Sequence, residues 1–553
     1  MKKLVFLLGL LSIISCKEAK ETDYSSVVLW EPYNDSSEVA ASQDHEKSRM
    51  HYKLIQSRVT DKNDIFRPLY HEVVKMSETQ YQQLRPLILE QNIPTIQKHI
   101  KEGKFTYEIL VRFFLYRIYK FELDNKTSLY TIIALNKNVL TEARELDKLI
   151  SEDRHPIFGM PILLKDNIGT TGMNTTAGSI ALMDNEAEDA FIVKQLKEKK
   201  ALILGKVNLS EWAYYMCNGC PVGYSAIGGQ TLNPYGRGVF ETGGSSSGSG
   251  TSVAANYAVA AVGTETSGSI LSPSSQNSVV GLKPTIGLLS RTGIVPISST
   301  LDTPGPMTKS VVDNAILLSA MTGKDVADKK SVETDEDYLD VALNPGSLAG
   351  KRLGVFKTLL ETDSIYRHTI NKLGEMGAEV IEFTPPEISM DGFLTLLNID
   401  MKNDLPDYLN SNIKNKGVIP IRSLEDVVEF NLRDSLLRIP YGQAIFDGIL
   451  KDSTTLEELD IIKNRLQANG RRFFDTAMNL YDLDAILSIN NYHAGYAAVA
   501  EYPALTIPMG YRETGEPISL TFIAKPFHEN DLLKLGRAFE VETEIRKPPL
   551  TYN

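Results

Sequence analysis

From residue 156 onward, short apolar runs alternate with amphipathic helical patterns, and this rhythm restricts the architecture more than any other feature. Ile157–Leu164 reads as a strand that ends at Lys165-Asp166-Asn167. Ala190–Lys200 has the spacing of an amphipathic helix, and Ala201–Leu204 follows as a second strand before Gly205. Alternation of this kind predicts an α/β architecture with a largely buried sheet. The same style returns at Ala485–Ser488, Ala504–Ile507 and Ile518–Phe522. Upstream, helical patterns run over Ile93–Ile100, Tyr107–Phe121 and Val139–Ile150, with a buried strand at Tyr130–Leu135 between the last two. Residues 350–480 are charged and more helical, with Glu457–Phe474 one long pattern. No internal repeat is present.

Composition serves to exclude classes. With 42% hydrophobic and 23% charged residues in 553, the chain is not wholly disordered, collagen-like or coiled-coil. A net charge of −12 gives no footing for a phosphate backbone, so no nucleic acid is expected as partner. The eight histidines are scattered, with no HExxH and no paired Cys/His set, so no metal is expected.

The first residues read as an address. Lys2 and Lys3 precede an apolar run, Leu4–Ile14, that is too short to span a bilayer as a helix. This is the pattern of an export signal. It ends in Ile13-Ile14-Ser15-Cys16, which resembles a bacterial lipobox, cut before Cys16 and lipidated there; a plain secretory signal is the alternative. The expected organisation is a signal peptide over 1–15, a polar tether over 16–60 and one domain over 61–553, with the helical region 350–480 shaping substrate choice. The expected location is the cell envelope, as a membrane-anchored lipoprotein with no obligate protein partner. Cys217 and Cys220 form a CxxC that opens no βαβ unit, and a local disulfide is at least as good a reading as a redox pair.

Two segments carry chemistry: Glu241-Thr-Gly-Gly-Ser-Ser-Ser-Gly-Ser-Gly-Thr-Ser-Val-Ala-Ala255 and Val262-Gly-Thr-Glu-Thr-Ser-Gly-Ser-Ile270. Glycines permit close backbone approach, and consecutive N–H groups can cradle an anion. A serine becomes a nucleophile only with a base in reach. Lys165 closes an apolar strand, and burial there would lower its pKa enough to accept a proton. Snorkelling, or pairing with Asp166, is the competing reading of that lysine.

Taken together, these segments resemble the amidase signature family of Ser–Ser–Lys hydrolases. The resemblance rests on Gly243-Gly-Ser-Ser-Ser-Gly-Ser249, Gly263-Thr-Glu-Thr-Ser-Gly-Ser-Ile270 and Val280-Gly-Leu-Lys-Pro-Thr285, with Gly159-Met-Pro-Ile-Leu-Leu-Lys-Asp-Asn167 around the lysine. Gly205–Trp212, Gly228–Tyr235, Asp302–Met307 and Tyr502–Met509 extend it to about residues 90–548. It implies a single α/β domain with a large mixed sheet flanked by helices on both sides. It also implies Ser269 as nucleophile, Ser245 as bridging serine after a cis peptide bond, and Lys165 as base. The oxyanion would be held by the backbone N–H groups of Thr266, Ser267, Gly268 and Ser269. No cofactor is implied. The motif style is closest to the peptide amidase branch, so a small-molecule or peptide amide is the expected substrate; fatty-acid amides or N-acyl amines are the alternative. Ser267 stands where many members have Gly or Asp. Leu271 stands where some carry Arg, which implies that an acidic acyl group is not the target.

Four rival readings compete with this one. Gly244-Ser-Ser-Ser-Gly248 fits a GxSxG nucleophile elbow with Ser246 attacking and His493 or His528 as base. Ser411-Asn-Ile-Lys414 is an SxxK without a KTG. A non-catalytic solute-binding lipoprotein would need no serine relay at all. An amidotransferase subunit acting with charged tRNA fits poorly with an export signal.

Overall fold

The computed structural model describes residues 26–149, 154–419 and 421–553. The expected signal peptide and Cys16 lie outside the described residues. In chain order the strands are β1 (Ile132–Leu135), β2 (Pro161–Lys165), β3 (Leu202–Val207), β4 (Tyr224–Ser225), β5 (Gly229–Gln230), β6 (Ala260–Glu265), β7 (Val280–Lys283), β8 (Thr303–Thr308), β9 (Arg352–Phe356), β10 (Glu379–Phe383), β11 (Ala485–Ile489), β12 (Ala504–Tyr511) and β13 (Pro517–Ile523). Eleven of them form one mixed sheet in the order β1-β3-β2-β6-β8-β7-β12-β13-β11-β9-β10, and β4 and β5 pair separately. Every residue of β2, β3, β6, β7 and β8 is buried, so both faces of the sheet centre are covered by helices. This is why β2 and β3 read as continuous apolar runs rather than as alternation, while β6, β7 and β8, rich in Gly, Pro and Thr, carry no such signal.

Two differences from the sequence reading have clear physical causes. The strand expected over Ile157–Leu164 starts only at Pro161, because the chain turns at Gly159, whose φ is +71° and whose N–H donates to the Lys200 carbonyl. The region 350–480 is not purely helical: β9 and β10 lie within it and extend the sheet. β10, Glu-Val-Ile-Glu-Phe, is the sheet's edge and is mostly solvated, so its charges hide its strand character.

The tether expected over 16–60 is corrected for its described part. Residues 26–60 pack on the domain, with Trp30, Met50, Tyr52, Leu54 and Ile55 buried. The Trp30 indole N–H donates to Asn125 Oδ1 (2.6 Å), and Gln230 N–H donates to the Ile55 carbonyl (2.8 Å). A few large apolar anchors within a polar, Ser-rich segment are enough to fasten it. At the other end Tyr552 is buried; its hydroxyl donates to the Thr127 carbonyl (2.6 Å) and its carbonyl accepts from the Arg117 guanidinium. Arg117 belongs to the helix Tyr107–Glu122 and also donates to the Ala255 carbonyl and the Tyr81 hydroxyl, so its buried charge is hydrogen-bonded on three sides.

Candidate active site

The site is built where β2 meets β6. The two strands are parallel and register Leu164 with Val262, which brings the last residue of β2, Lys165, against Thr264. Lys165 Nζ lies 2.8 Å from Thr264 Oγ1, 3.1 Å from the Thr264 carbonyl and 2.7 Å from Ser245 Oγ. No part of the lysine is exposed. Burial pushes its pKa down to about 7, against the opposing pull of the Asp302 and Glu265 carboxylates. A neutral amine has two N–H groups and one lone pair. The two Thr264 oxygens accept the N–H groups, and the lone pair is left for the Ser245 hydroxyl.

Each serine singled out from the sequence sits just ahead of a helix. Ser245 precedes the helix Ser247–Ala254, and the Gly244–Ser245 peptide is cis. Its carbonyl accepts the Ser210 N–H at 3.0 Å. Ser269 precedes the helix Leu271–Gln276 and is half-buried. The Ser246 N–H donates to the Ser269 carbonyl (3.2 Å), which ties the two segments together. The loop Thr266–Ser269, where the oxyanion donors are expected, turns at Gly268 with φ +92°. Glu265 holds this loop from below: its buried carboxylate accepts the N–H groups of Ile270 (2.7 Å) and Leu271 (2.9 Å). Ser267 faces Gly495. Leu271 is buried in an apolar cluster with Phe474 and Ala497.

The Gly/Ser composition of the first motif follows from helix packing. A Cβ on Gly248 would lie 2.5 Å from the Asn208 carbonyl, and one on Gly250 would lie 2.7 Å from the Pro273 carbonyl. The helix therefore approaches two backbones where a side chain would collide.

Below the lysine, the Asp166 and Lys206 charged groups lie 3.1 Å apart with both side chains fully buried. Lys206 also donates to the Ile168 carbonyl (2.6 Å) and Thr175 Oγ1 (3.0 Å), and Asp166 accepts from the Thr176 hydroxyl and N–H. Burial pushes the Asp166 pKa up and the Lys206 pKa down. So Asp166 is committed to Lys206 and leaves Lys165 to the serine.

A cavity of about 940 Å³ opens beside this cluster. Asn167, Thr264 and Thr266 form its floor, while Ser245 and Ser269 stand outside its lining. Residues 291–304 form one wall, and the helices Phe393–Ser411 and Leu456–Tyr481 supply others. Arg291 pairs with Asp328, and Asp302 accepts the N–H groups of Ile297 and Ser298 and the Thr266 hydroxyl. Burial and the nearby Asp400 push Asp404 up to about 6. Ala213 reaches the cavity from a turn in which Trp212, Ala213 and Tyr214 all have positive φ. Trp212 itself is core, edge-on to Phe446. A Cys217–Cys220 disulfide closes the same turn, where Tyr214 donates to the Cys220 carbonyl (2.7 Å).

The rival constellations do not assemble. Ser246 Oγ donates to the Thr264 carbonyl (3.0 Å) and accepts the Thr264 N–H (3.2 Å), so it is fixed in the backbone. His493 Nδ1 is paired with Ser488 at 2.6 Å, its ring is stacked on Phe356, and burial pushes its pKa down to about 4. His528 pairs with Asp531. Ser411 donates into its own helix at the Asp407 carbonyl (2.6 Å), and Lys414 pairs with Glu188 (2.9 Å). Among the described residues, no group of three or more His, Cys, Asp or Glu side chains is arranged to hold a metal ion.

Comparison with known proteins decides the family: residues 110–488 match the sequence model of the Amidase family. This chain is an amidase-family enzyme. It is similar to a probable amidase of Arabidopsis thaliana, 36% identical over 84% of this chain and 92% of the relative. Among solved structures it is similar to an amidase family protein of Bacillus anthracis, with a TM-score of 0.84 at 36% identity, covering 90% of this chain and 99% of the other. It is also similar to a peptide amidase of Stenotrophomonas maltophilia, with a TM-score of 0.77 at 35% identity, covering 83% and 98%. The fold of the amidase family is thus the α/β architecture expected, and the protein hydrolyses amide bonds. Of the residues around Lys165, sequence reasoning singled out Ser245 but passed over Thr264, Asn167 and Lys206. Thr264 and Asn167 stand inside motif segments, but only the strand register shows what they touch.

Proposed function

We propose that this amidase works through Ser269 as nucleophile, Ser245 as proton relay and Lys165 as base. The observation that carries the reading is the contact between a fully buried lysine and the hydroxyl of Ser245, with burial lowering the lysine's pKa to about 7. Ser269 Oγ attacks the amide carbon and passes its proton to Ser245 Oγ as the Ser245 proton moves to Lys165 Nζ. The tetrahedral oxyanion is held by backbone N–H groups in the Thr266–Ser269 loop, the kind of preorganised donor that contributes most to acyl transfer. Lys165 then returns the proton through Ser245 to the leaving nitrogen. The C–N bond breaks, an amine or ammonia departs, and an acyl ester on Ser269 remains. Water clears the ester by the same relay, releasing the acid.

The substrate we propose is a peptide amide, with ammonia the leaving group from a C-terminal carboxamide. The similarity to a peptide amidase supports this. The cavity wall is polar as well as apolar, with the Ser298 and Thr300 segment beside Asp404 and Asn412, and a long acyl chain would not use those groups. Leu271, buried among apolar groups, offers no cation to an acidic acyl group. The test is ammonia release from peptide amides beside long-chain acyl amides, with Ser269→Ala as control. Turnover of peptide amides that Ser269→Ala abolishes supports the reading; turnover that survives in Ser269→Ala overturns it.

We also propose export and lipid anchoring through Cys16, on the strength of Lys2, Lys3, the apolar run and the lipobox-like Ile13–Cys16. Cys16→Ser should move the protein from the membrane to the soluble fraction; unchanged membrane association would count against the anchor.

A further inference from the structure

Asn167 is 3% exposed, yet it lines the cavity two residues beyond Lys165. Its backbone carbonyl accepts the Val295 N–H (2.9 Å) and its Nδ2 donates to Thr264 Oγ1 (3.0 Å). Its Oδ1 has no hydrogen-bond partner. Other buried carboxamide oxygens, such as Asn185 Oδ1 and Asn314 Oδ1, also lack a protein partner, but among these Asn167 is the one that lines the cavity. The nearest chemistry is the base itself, since Thr264 Oγ1 touches both Asn167 Nδ2 and Lys165 Nζ (2.8 Å).

We infer that Asn167 Oδ1 accepts an N–H of the leaving nitrogen, making Asn167 the residue that selects amides over esters and over fully alkylated amides. The inference rests on the proposed Ser269–Ser245–Lys165 relay. In that relay the leaving nitrogen must come close enough to Ser245 to take a proton, and Asn167 is linked to Ser245 through Thr264 Oγ1 and Lys165 Nζ. One N–H held by Oδ1 fixes rotation about the breaking C–N bond and leaves the nitrogen lone pair facing the incoming proton. A primary amide has such an N–H; an ester or an N,N-dialkyl amide has none. A site built around a hydrogen bond discriminates strongly against an analogue that cannot make it.

The experiment uses one acyl group presented as primary amide, N,N-dimethyl amide and methyl ester, with wild type and Asn167→Leu. The expected result is a loss in kcat/KM of roughly 10- to 100-fold on the primary amide, and of less than about threefold on the ester. Both variants also remove the Nδ2 contact with Thr264 Oγ1, which Lys165 shares, so the ester serves as the internal control for any effect on the lysine. Equal losses on amide and ester would overturn the inference and leave Asn167 a structural support of the lysine. If Asn167→Leu does not fold, Asn167→Ala deletes the same oxygen without adding apolar bulk and is read the same way. Failure of the underlying relay is seen separately, as turnover that survives in Ser269→Ala.

Discussion

At the residue scale the relay makes a prediction with a definite sign. Lys165 accepts a proton only when neutral, and burial has moved its pKa to about 7. Log kcat/KM should therefore climb with pH through about 7 and level off above it; a profile falling over that range would exclude a lysine base. Lys165→Ala should cost roughly 10²- to 10⁴-fold in kcat, the usual reach of a general base. Ser246→Ala should cost much less than Ser245→Ala, because Ser246 only ties its hydroxyl to the Thr264 backbone. A second prediction concerns the ion pair beneath the site. Lys206→Met leaves the Asp166 carboxylate buried without its cation and should lower stability by about 3 kcal/mol, read as a shift of the urea midpoint at unchanged slope. Lys165 and the serines were legible because the motif segments name them. Thr264 was not, since its contact with Lys165 spans 99 residues and exists only because β2 and β6 lie side by side.

At the scale of elements, the helix Ser247–Ala254 is the one whose sequence and packing are most tightly bound. It is buried along its whole length, and the nearest atoms to its glycines are backbone atoms. Gly248→Ala should lower stability by about 1–3 kcal/mol through overpacking, and should also lower kcat, because Ser245 lies two residues ahead of the displaced helix. Gly103→Ala, where no atom lies within 4 Å, is the matched control and should leave kcat unchanged, although its positive φ (+71°) adds local strain. Elements were read from the sequence best where one character ran unbroken. The helix Tyr107–Glu122 and the strands β11, β12 and β13 fall where periodicity and apolar runs put them. β9 and β10 were lost because they are short, carry charges, and lie among long helical patterns.

At the scale of the whole molecule, the ends of the chain lock parts remote in sequence. The segment 26–60 was read as a tether because its composition is polar, and the few anchors that fasten it, Trp30, Tyr52 and Ile55, carry no periodic signature. Tyr552→Ala should cost about 3 kcal/mol, since it removes a buried aromatic ring and its hydroxyl contact with Thr127. Activity per folded molecule should be unchanged, which a thermal melt beside initial rates would separate. The partners in that lock, Arg117 and Tyr552, are 435 residues apart. Ribosomes add about 5–20 residues per second, so the guanidinium waits roughly 20–90 s for its last acceptor to be made. For that interval the surroundings of Arg117 stay unfinished, and an emerging chain of this kind offers chaperones a long window before its core can close.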